Sequence, residues 1–211
     1  DWTGSNIIGP GSIENTASAV ININTSGINF LNVSTNNAGT INYNGTSSFN
    51  PESSRTFTST GTLNINSGTW QSYGGQTFQG AVNIASGTTF EVIAGTATFG
   101  QSASILGNGT LRVHAGSVTQ AFPWQNNSNT LALVGGTWNN SSAEALSFLP
   151  GSTFNWQGGI LAGSGGYTIA NGMTASFSEH TKTLNSTLTN NGTIDWTGSN
   201  IIGPGSIENT A

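Results

Sequence analysis

The sequence contains no cysteine, which excludes a disulfide framework, a zinc ribbon and a thiol nucleophile. Only 5% of its 211 residues are charged, whereas an ordinary soluble domain carries about a quarter. Only three residues are basic, so no cationic patch is available for binding nucleic acid. The apolar runs are only a few residues long, and none can insert across a membrane.

Small polar residues dominate instead. Asn, Ser, Thr and Gly make up more than half of the chain, whereas Leu, Ile, Val and Phe make up little more than a fifth. Such a low apolar content borders on disorder, but disorder also needs a high net charge, and the net charge here is −5. The sequence therefore indicates an ordered fold that buries little apolar surface and depends on backbone hydrogen bonds.

The opening segment, DWTGSNIIGPGSIENTA at residues 1–17, recurs without a change at residues 195–211, and we call it the terminal repeat. Self-similarity at a fixed offset is typical of repeat architectures. We interpret residues 1–194 as one module of a tandem array, and residues 195–211 as the start of the next identical module. A segment duplicated during cloning is the alternative.

A shorter period runs inside the long one. Nine segments of the form apolar–x–apolar begin at residues 21, 41, 63, 82, 111, 131, 154, 175 and 194. Nine units between one terminal repeat and the next give about 21–22 residues per unit, a length typical of solenoids. Further apolar pulses, separated by glycines, give three short strands per unit, and no 3.6-residue period predicts a helix. The pattern predicts an all-β fold, a parallel β-helix whose nine coils advance roughly 43 Å per module.

Alternation along each unit assigns inward and outward positions. The residues that close the units are predicted to form one inward stack: Ile23, Tyr43, Ile65, Ile84, Val113, Leu133, Trp156, Phe177 and Trp196. The middle residue points outward, and in the first four units it is Asn22, Asn42, Asn64 and Asn83. Stacked asparagines can bond amide to amide along a β-structure, so we expect a ladder here. The alternative is that asparagine is merely frequent.

Residues with catalytic chemistry are few. Glu179 and His180 adjoin in the most charged stretch, but they lack a third group, and a solvated loop is the simpler interpretation. The eight acids are scattered and share no register position, with Glu91 expected on a second strand and Asp195 on a first. We therefore expect no enzyme activity, no catalytic residue, no metal and no cofactor.

Six tryptophans raise the question of sugar binding, but most occupy positions where other units have core residues. Trp124 differs, because it lies with Phe122 beside a proline in an irregular connection. Phe122 and Trp124 are our candidates for contact with a ligand or with another chain. A buried plug is the alternative.

The unit at residues 62–70, TLNINSGTW, and the segment at residues 109–113, GTLRV, resemble the strand repeats of very large secreted bacterial surface proteins. In particular, they resemble the giant repetitive adhesins and surface fibres of gliding Bacteroidota that the type IX pathway exports. The resemblance implies an extracellular, cell-surface location, a role in adhesion and homo-oligomeric fibres. It carries over no catalytic residue.

These observations favour a structural repeat of a fibre or adhesin stalk. Its expected partners are further copies of the module in the same chain, a homo-oligomeric bundle and another cell surface. One alternative is a β-helix polysaccharide lyase or hydrolase, which needs an aligned cleft of charged residues. Another is an ice-binding solenoid, which needs a regular Thr-x-Thr face. Thr56-Phe57-Thr58 and Thr96-Ala97-Thr98 have that form, but we expect them to be out of register.

Overall fold

A computed structural model describes residues 1–52 and 54–210. Over these residues the chain consists of strands and turns without a helix, and it winds into a β-solenoid of about ten coils. Every strand pairs in parallel with the equivalent strand of the neighbouring coil, for example β-strand residues Thr89–Val92 with Thr110–Val113. The predicted fold class is confirmed.

Each coil has three sides, which we call side 1, side 2 and side 3 in chain order. Side 1 begins with β2 (Val20–Ile23), β4 (Thr40–Tyr43), β7 (Thr62–Ile65), β10 (Ala81–Ile84) and β13 (Ser104–Gly107). It continues with β16 (Gln125–Asn126), β19 (Leu146–Phe148), β22 (Tyr167–Ile169), β25 (Thr187–Asn190) and β28 (Ser206–Asn209).

Sides 2 and 3 together form one sheet of 18 strands. Side 2 holds β5 (Ser48–Pro51), β8 (Thr69–Ser72), β11 (Thr89–Val92), β14 (Thr110–Val113), β17 (Thr130–Leu133), β20 (Thr153–Trp156), β23 (Thr174–Phe177) and β26 (Thr193–Trp196). Side 3 holds β6 (Phe57–Ser59), β9 (Gln76–Phe78), β12 (Thr96–Phe99), β15 (Ser117–Gln120), β18 (Thr137–Asn140), β21 (Gly159–Ala162), β24 (Lys182–Asn185) and β27 (Ile201–Ile202). Two longer strands, β1 (Ile7–Asn15) and β3 (Asn29–Asn37), run along both sides.

The core lies along the axis of the solenoid. A typical four-residue strand alternates a half-buried residue with a buried one, as the period of two requires. Aromatic rings from successive coils stack on one another, and Phe78 and Phe99 lie 5.1 Å apart between ring centroids. Because each coil needs only a few inward side chains, a chain poor in apolar residues still closes a continuous core.

Side 1 is built from two separate sheets, because its stack is interrupted after β13. Ile84 pairs with Gly107, so the inward apolar row on this side ends in a residue without a side chain. A Cβ at Gly107 would lie 2.1 Å from the carbonyl oxygen of Ile84, and the φ of Gly107 is +98°, so glycine is required here. The second sheet begins on the next coil with β16, which pairs with β19.

This interruption corrects the prediction of a single inward stack. The first four predicted residues lie on side 1, but Val113 pairs with Val92 of β11 on side 2, and the later ones follow it there. The long step from Val82 to Leu111 spans four sides, whereas the other steps span three. Eight of the nine residues are buried, and the exception is Trp196, which is 51% exposed in the last coil.

Candidate functional surfaces

The four asparagines that the sequence placed at one register position form a hydrogen-bonded ladder on side 1. Asn42 Nδ2 donates to Asn22 Oδ1 at 2.8 Å, Asn64 Nδ2 donates to Asn42 Oδ1 at 2.8 Å, and Asn83 Nδ2 donates to Asn64 Oδ1 at 2.6 Å. Asn22 in turn donates to Asp1. Each inner amide both donates and accepts, so the ladder ties five coils along the axis.

Two further amide ladders were not expected from the sequence. Asn66 donates to Asn44 and Asn44 donates to Asn24, each at 2.8 Å, at the exposed corner after side 1. Inside the core, Asn15 donates to Asn37 at 2.7 Å and Asn37 donates to Ser59 at 2.9 Å. The ladders differ in burial but share one function, since each satisfies polar groups by pairing equivalent positions of successive coils.

Threonines form an aligned row on side 3. Thr58 pairs with Thr77, Thr77 with Thr98, and Thr98 with Thr119. Our expectation that Thr56-Phe57-Thr58 and Thr96-Ala97-Thr98 lie out of register is therefore wrong, because the two motifs are two coils apart on the same side. The spacing of the first strands does not reveal this register, because the connections that precede side 3 differ in length from coil to coil.

A longer threonine row opens the strands of side 2. It contains Thr69, Thr89, Thr110, Thr130, Thr153, Thr174 and Thr193, one from each of seven successive coils. Stacked β-branched residues pair well across neighbouring strands, so such a row stabilises the sheet. It also presents hydroxyl and methyl groups at the regular strand spacing of ~4.8 Å.

Phe122 and Trp124 form a buried plug rather than an exposed contact surface. They are 5% and 6% exposed, and Trp124 stacks on Trp138 with 5.9 Å between ring centroids. The carbonyl of Phe122 accepts a hydrogen bond from the buried amide of Gln120. These residues fill side 1 on the coil where β13 has no continuing strand, and a groove of about 320 Å³ remains beside them. Phe122 and Trp124 therefore occupy the buried position of our alternative interpretation, the plug.

One charged cluster lies on side 2, where sequence reasoning did not find it. Glu91 accepts a hydrogen bond from Gln71 at 3.0 Å, and it lies 3.3 Å from the Arg112 guanidinium and 3.6 Å from His114 Nδ1. Gln71, Glu91 and Arg112 are register partners on three successive coils. Register, rather than distance along the chain, therefore created the cluster.

The same register corrects the prediction about the acids. Glu91 and Asp195 share one outward row of side 2, although we expected Glu91 on the second strand of its unit and Asp195 on the first strand of its unit. They lie five coils apart, about 24 Å at the strand spacing of ~4.8 Å. Paired carboxylates for glycoside hydrolysis must lie within about 10 Å. Sharing the row therefore does not bring these two acids into reach of one substrate bond.

A second charged group lies at the corner before β24. Glu179 has a φ of +64°, accepts a hydrogen bond from Gln157 at 2.7 Å and lies 3.8 Å from His180. Lys182 is buried, and its ammonium donates to the His180 carbonyl at 2.9 Å. Burial lowers the pKa of Lys182, and the charge of Glu179 partly opposes the shift. Because Lys182 is covered, its amine is not an accessible nucleophile.

A groove of about 450 Å³ crosses side 2 near the first coils. It is lined by Ile28, Phe30, Asn50, Glu52, Gln71 and Tyr73. Ile28 is 61% exposed, and it brings an apolar patch next to amide and carboxylate groups. Such a mixture of apolar and polar lining is common in sites that hold small organic ligands.

Comparison with known protein families, curated proteins and solved structures finds no match to the chain. Within residues 1–52 and 54–210, no three histidine or acidic side chains gather in a way that could hold a metal ion. No helix long and apolar enough to cross a membrane occurs in the same residues.

Proposed function

We propose that the chain is a structural segment of a long extracellular fibre or adhesin stalk. It mediates surface attachment or contact between cells by projecting from a cell surface or by assembling into filaments. One observation carries this proposal. The terminal repeat pairs with the coil that follows it in its first copy and with the coil that precedes it in its second copy.

The properties of the surface support a mechanical role. Parallel backbone pairing and the amide ladders run along the axis, so a pulling force is shared among many hydrogen bonds on each coil. The net charge of −5 gives little repulsion between neighbouring rods, which favours lateral bundling into homo-oligomeric fibres.

The length of tandem chains tests the proposal. Chains of one, two and three modules, joined as residue 194 to residue 1, should form rods that lengthen by about 45 Å per module at ~4.8 Å per coil. Small-angle scattering and negative-stain electron microscopy measure this length. Separate globular beads, or a length that does not grow linearly with module number, would contradict the proposal.

The threonine rows favour a second candidate function, binding to an ordered surface such as ice. Thr58, Thr77, Thr98 and Thr119 give side 3 one regular row of threonines, and two of these four coils carry the full Thr-x-Thr motif. A thermal hysteresis measurement on the wild type and on a Thr77→Lys/Thr98→Lys variant tests it. Hysteresis that the variant abolishes supports ice binding, and no hysteresis in the wild type removes it.

A further inference from the structure

The two copies of the terminal repeat lie on different sides of the solenoid. Trp2 bridges to Ile23 on side 1, whereas the equivalent Trp196 pairs with Phe177 on side 2. Two other equivalent pairs show the same shift by one side: Ile7 and Ile201, and Ile13 and Ile207. The second copy of the terminal repeat therefore begins one side later in the coil than the first copy does.

The count of sides gives the same result. From Trp2 to Trp196, with β1 and β3 each covering two sides, a module is twenty-eight sides long. Nine complete coils use twenty-seven of them, and one side is left over. The extra side enters between Val82 and Leu111, at the step where the inward stack leaves side 1.

We propose that consecutive modules stack with a rotation of one third of a turn, so that β2 of the next module pairs with β26. This inference rests on the proposed continuous rod and adds its symmetry. Asp195 then lies beside Asn22 of the next module, and Trp196 beside Ile23 of the next module, as Asp1 and Trp2 do within this chain. Three modules make twenty-eight complete coils, about 134 Å at ~4.8 Å per coil.

The exposed apolar side chains support this junction. Trp196 and Ile207 pair with the buried, inward-facing Phe177 and Leu188, yet they are 51% and 37% exposed in the last coils. Ile21 of β2 also points inward, in register with the buried Ile41, but it is only half-buried because residues 1 and 2 cover only the far end of β2. In the proposed junction β26 covers the whole of β2, and Trp196 gains the edge-to-face contact that Trp2 makes with Phe49 at 5.4 Å.

The amide ladders also continue through the junction. Asn190 donates to Asn209 at 2.9 Å on side 1, and the equivalent of Asn209, Asn15, donates to Asn37 at 2.7 Å on side 3. In a tandem chain, Asn209 is Asn15 of the next module, so it accepts from Asn190 and donates to Asn37 of the next module. The two bonds form one continuous ladder only if the next module is rotated by one side. If the modules stacked without a rotation, these amides would lie on different sides and could not form one ladder.

The rotation has a consequence for a stalk. A surface feature that occupies one side of a module, such as the threonine row of side 3, appears on a different side in each of three consecutive modules. A fibre built in this way presents the same feature all around its circumference. Lateral contacts and adhesive contacts then need no fixed orientation of the rod.

Cross-linking in a two-module chain tests the rotation, because the protein has no native cysteine. Rotated stacking places Ser176 of the first module and Asn22 of the second module on one side, two coils apart. Thr189 of the first module and Asn22 of the second then lie on different sides. We expect a bismaleimide that spans about two coils of ~4.8 Å to link the Ser176→Cys/Asn22→Cys pair but not the Thr189→Cys/Asn22→Cys pair.

A pair within one module serves as the positive control. Ala132→Cys and Ser176→Cys lie two coils apart in one outward row of side 2 and should cross-link in any case. Linkage of the Thr189 pair alone overturns the rotation but leaves the rod intact. Linkage of neither junction pair, or of both equally, overturns the stacking and also the proposed continuous rod. Mass spectrometry of the linked peptides distinguishes these outcomes.

Discussion

At the scale of the residue, the amide ladder is the feature whose energy can be isolated most directly. Asn64 both donates to Asn42 and accepts from Asn83, so Asn64→Ala removes two hydrogen bonds from a half-buried site. We expect a loss of about 1–2 kcal/mol in the free energy of unfolding, measured by urea denaturation. Asn155→Ala is the matched control, because Asn155 holds the same central position on side 2 without a side-chain hydrogen bond to any described residue. Equal losses for the two variants would show that the ladder adds nothing.

The buried phenol of Tyr43 makes the free energy of unfolding depend on pH in the alkaline range. Burial raises its pKa from 10.0 to about 12. The phenol also donates a hydrogen bond to the Ser47 carbonyl at 2.7 Å, and this bond is lost when the phenol ionises. The folded state therefore holds the phenol proton more tightly than the unfolded state does, and stability falls as pH rises from 10 to 12. Tyr43→Phe should be less stable at pH 7 by about 1 kcal/mol, through loss of the hydrogen bond, but should lose less stability above pH 10. Parallel pH profiles in urea would contradict this assignment.

At the scale of the element, the plug of Phe122 and Trp124 fills side 1 beside the two-residue strand β16. Trp124 stacks on Trp138 where β13 has no continuing partner, so Trp124→Ala should leave a cavity and cost about 3–5 kcal/mol in the free energy of unfolding. Thermal and urea denaturation measure this cost. If instead the variant keeps its stability but loses association between fibres, the contact role predicted from the sequence would be correct.

At the scale of the whole molecule, the junction should change the cost of one substitution. Trp196 is 51% exposed at the end of the single module, so Trp196→Ala there should cost under about 1 kcal/mol. In the first module of a two-module chain the same residue lies between Phe177 and Ile23 of the next module, and its loss should cost about 3 kcal/mol. Urea denaturation of the two variants measures the difference. Equal costs would indicate that neighbouring modules do not stack.

The sequence by itself determined the fold class, because a period of two with glycines between short apolar pulses leaves few ways to bury so little apolar surface. It also determined the Asn22 to Asn83 ladder, since four equivalent positions carried the same residue. The tertiary structure alone decided which strands lie on one side. Gly107 ends the inward stack on side 1, whereas the sequence spacing predicted that the stack continues to Val113. The threonine row of side 3 and the Glu91 cluster arise from the pairing of strands in neighbouring coils. A strand in a solenoid pairs with the strand directly above or below it along the axis, whatever the number of residues between them. One additional strand in a module therefore changes which strands every later residue pairs with.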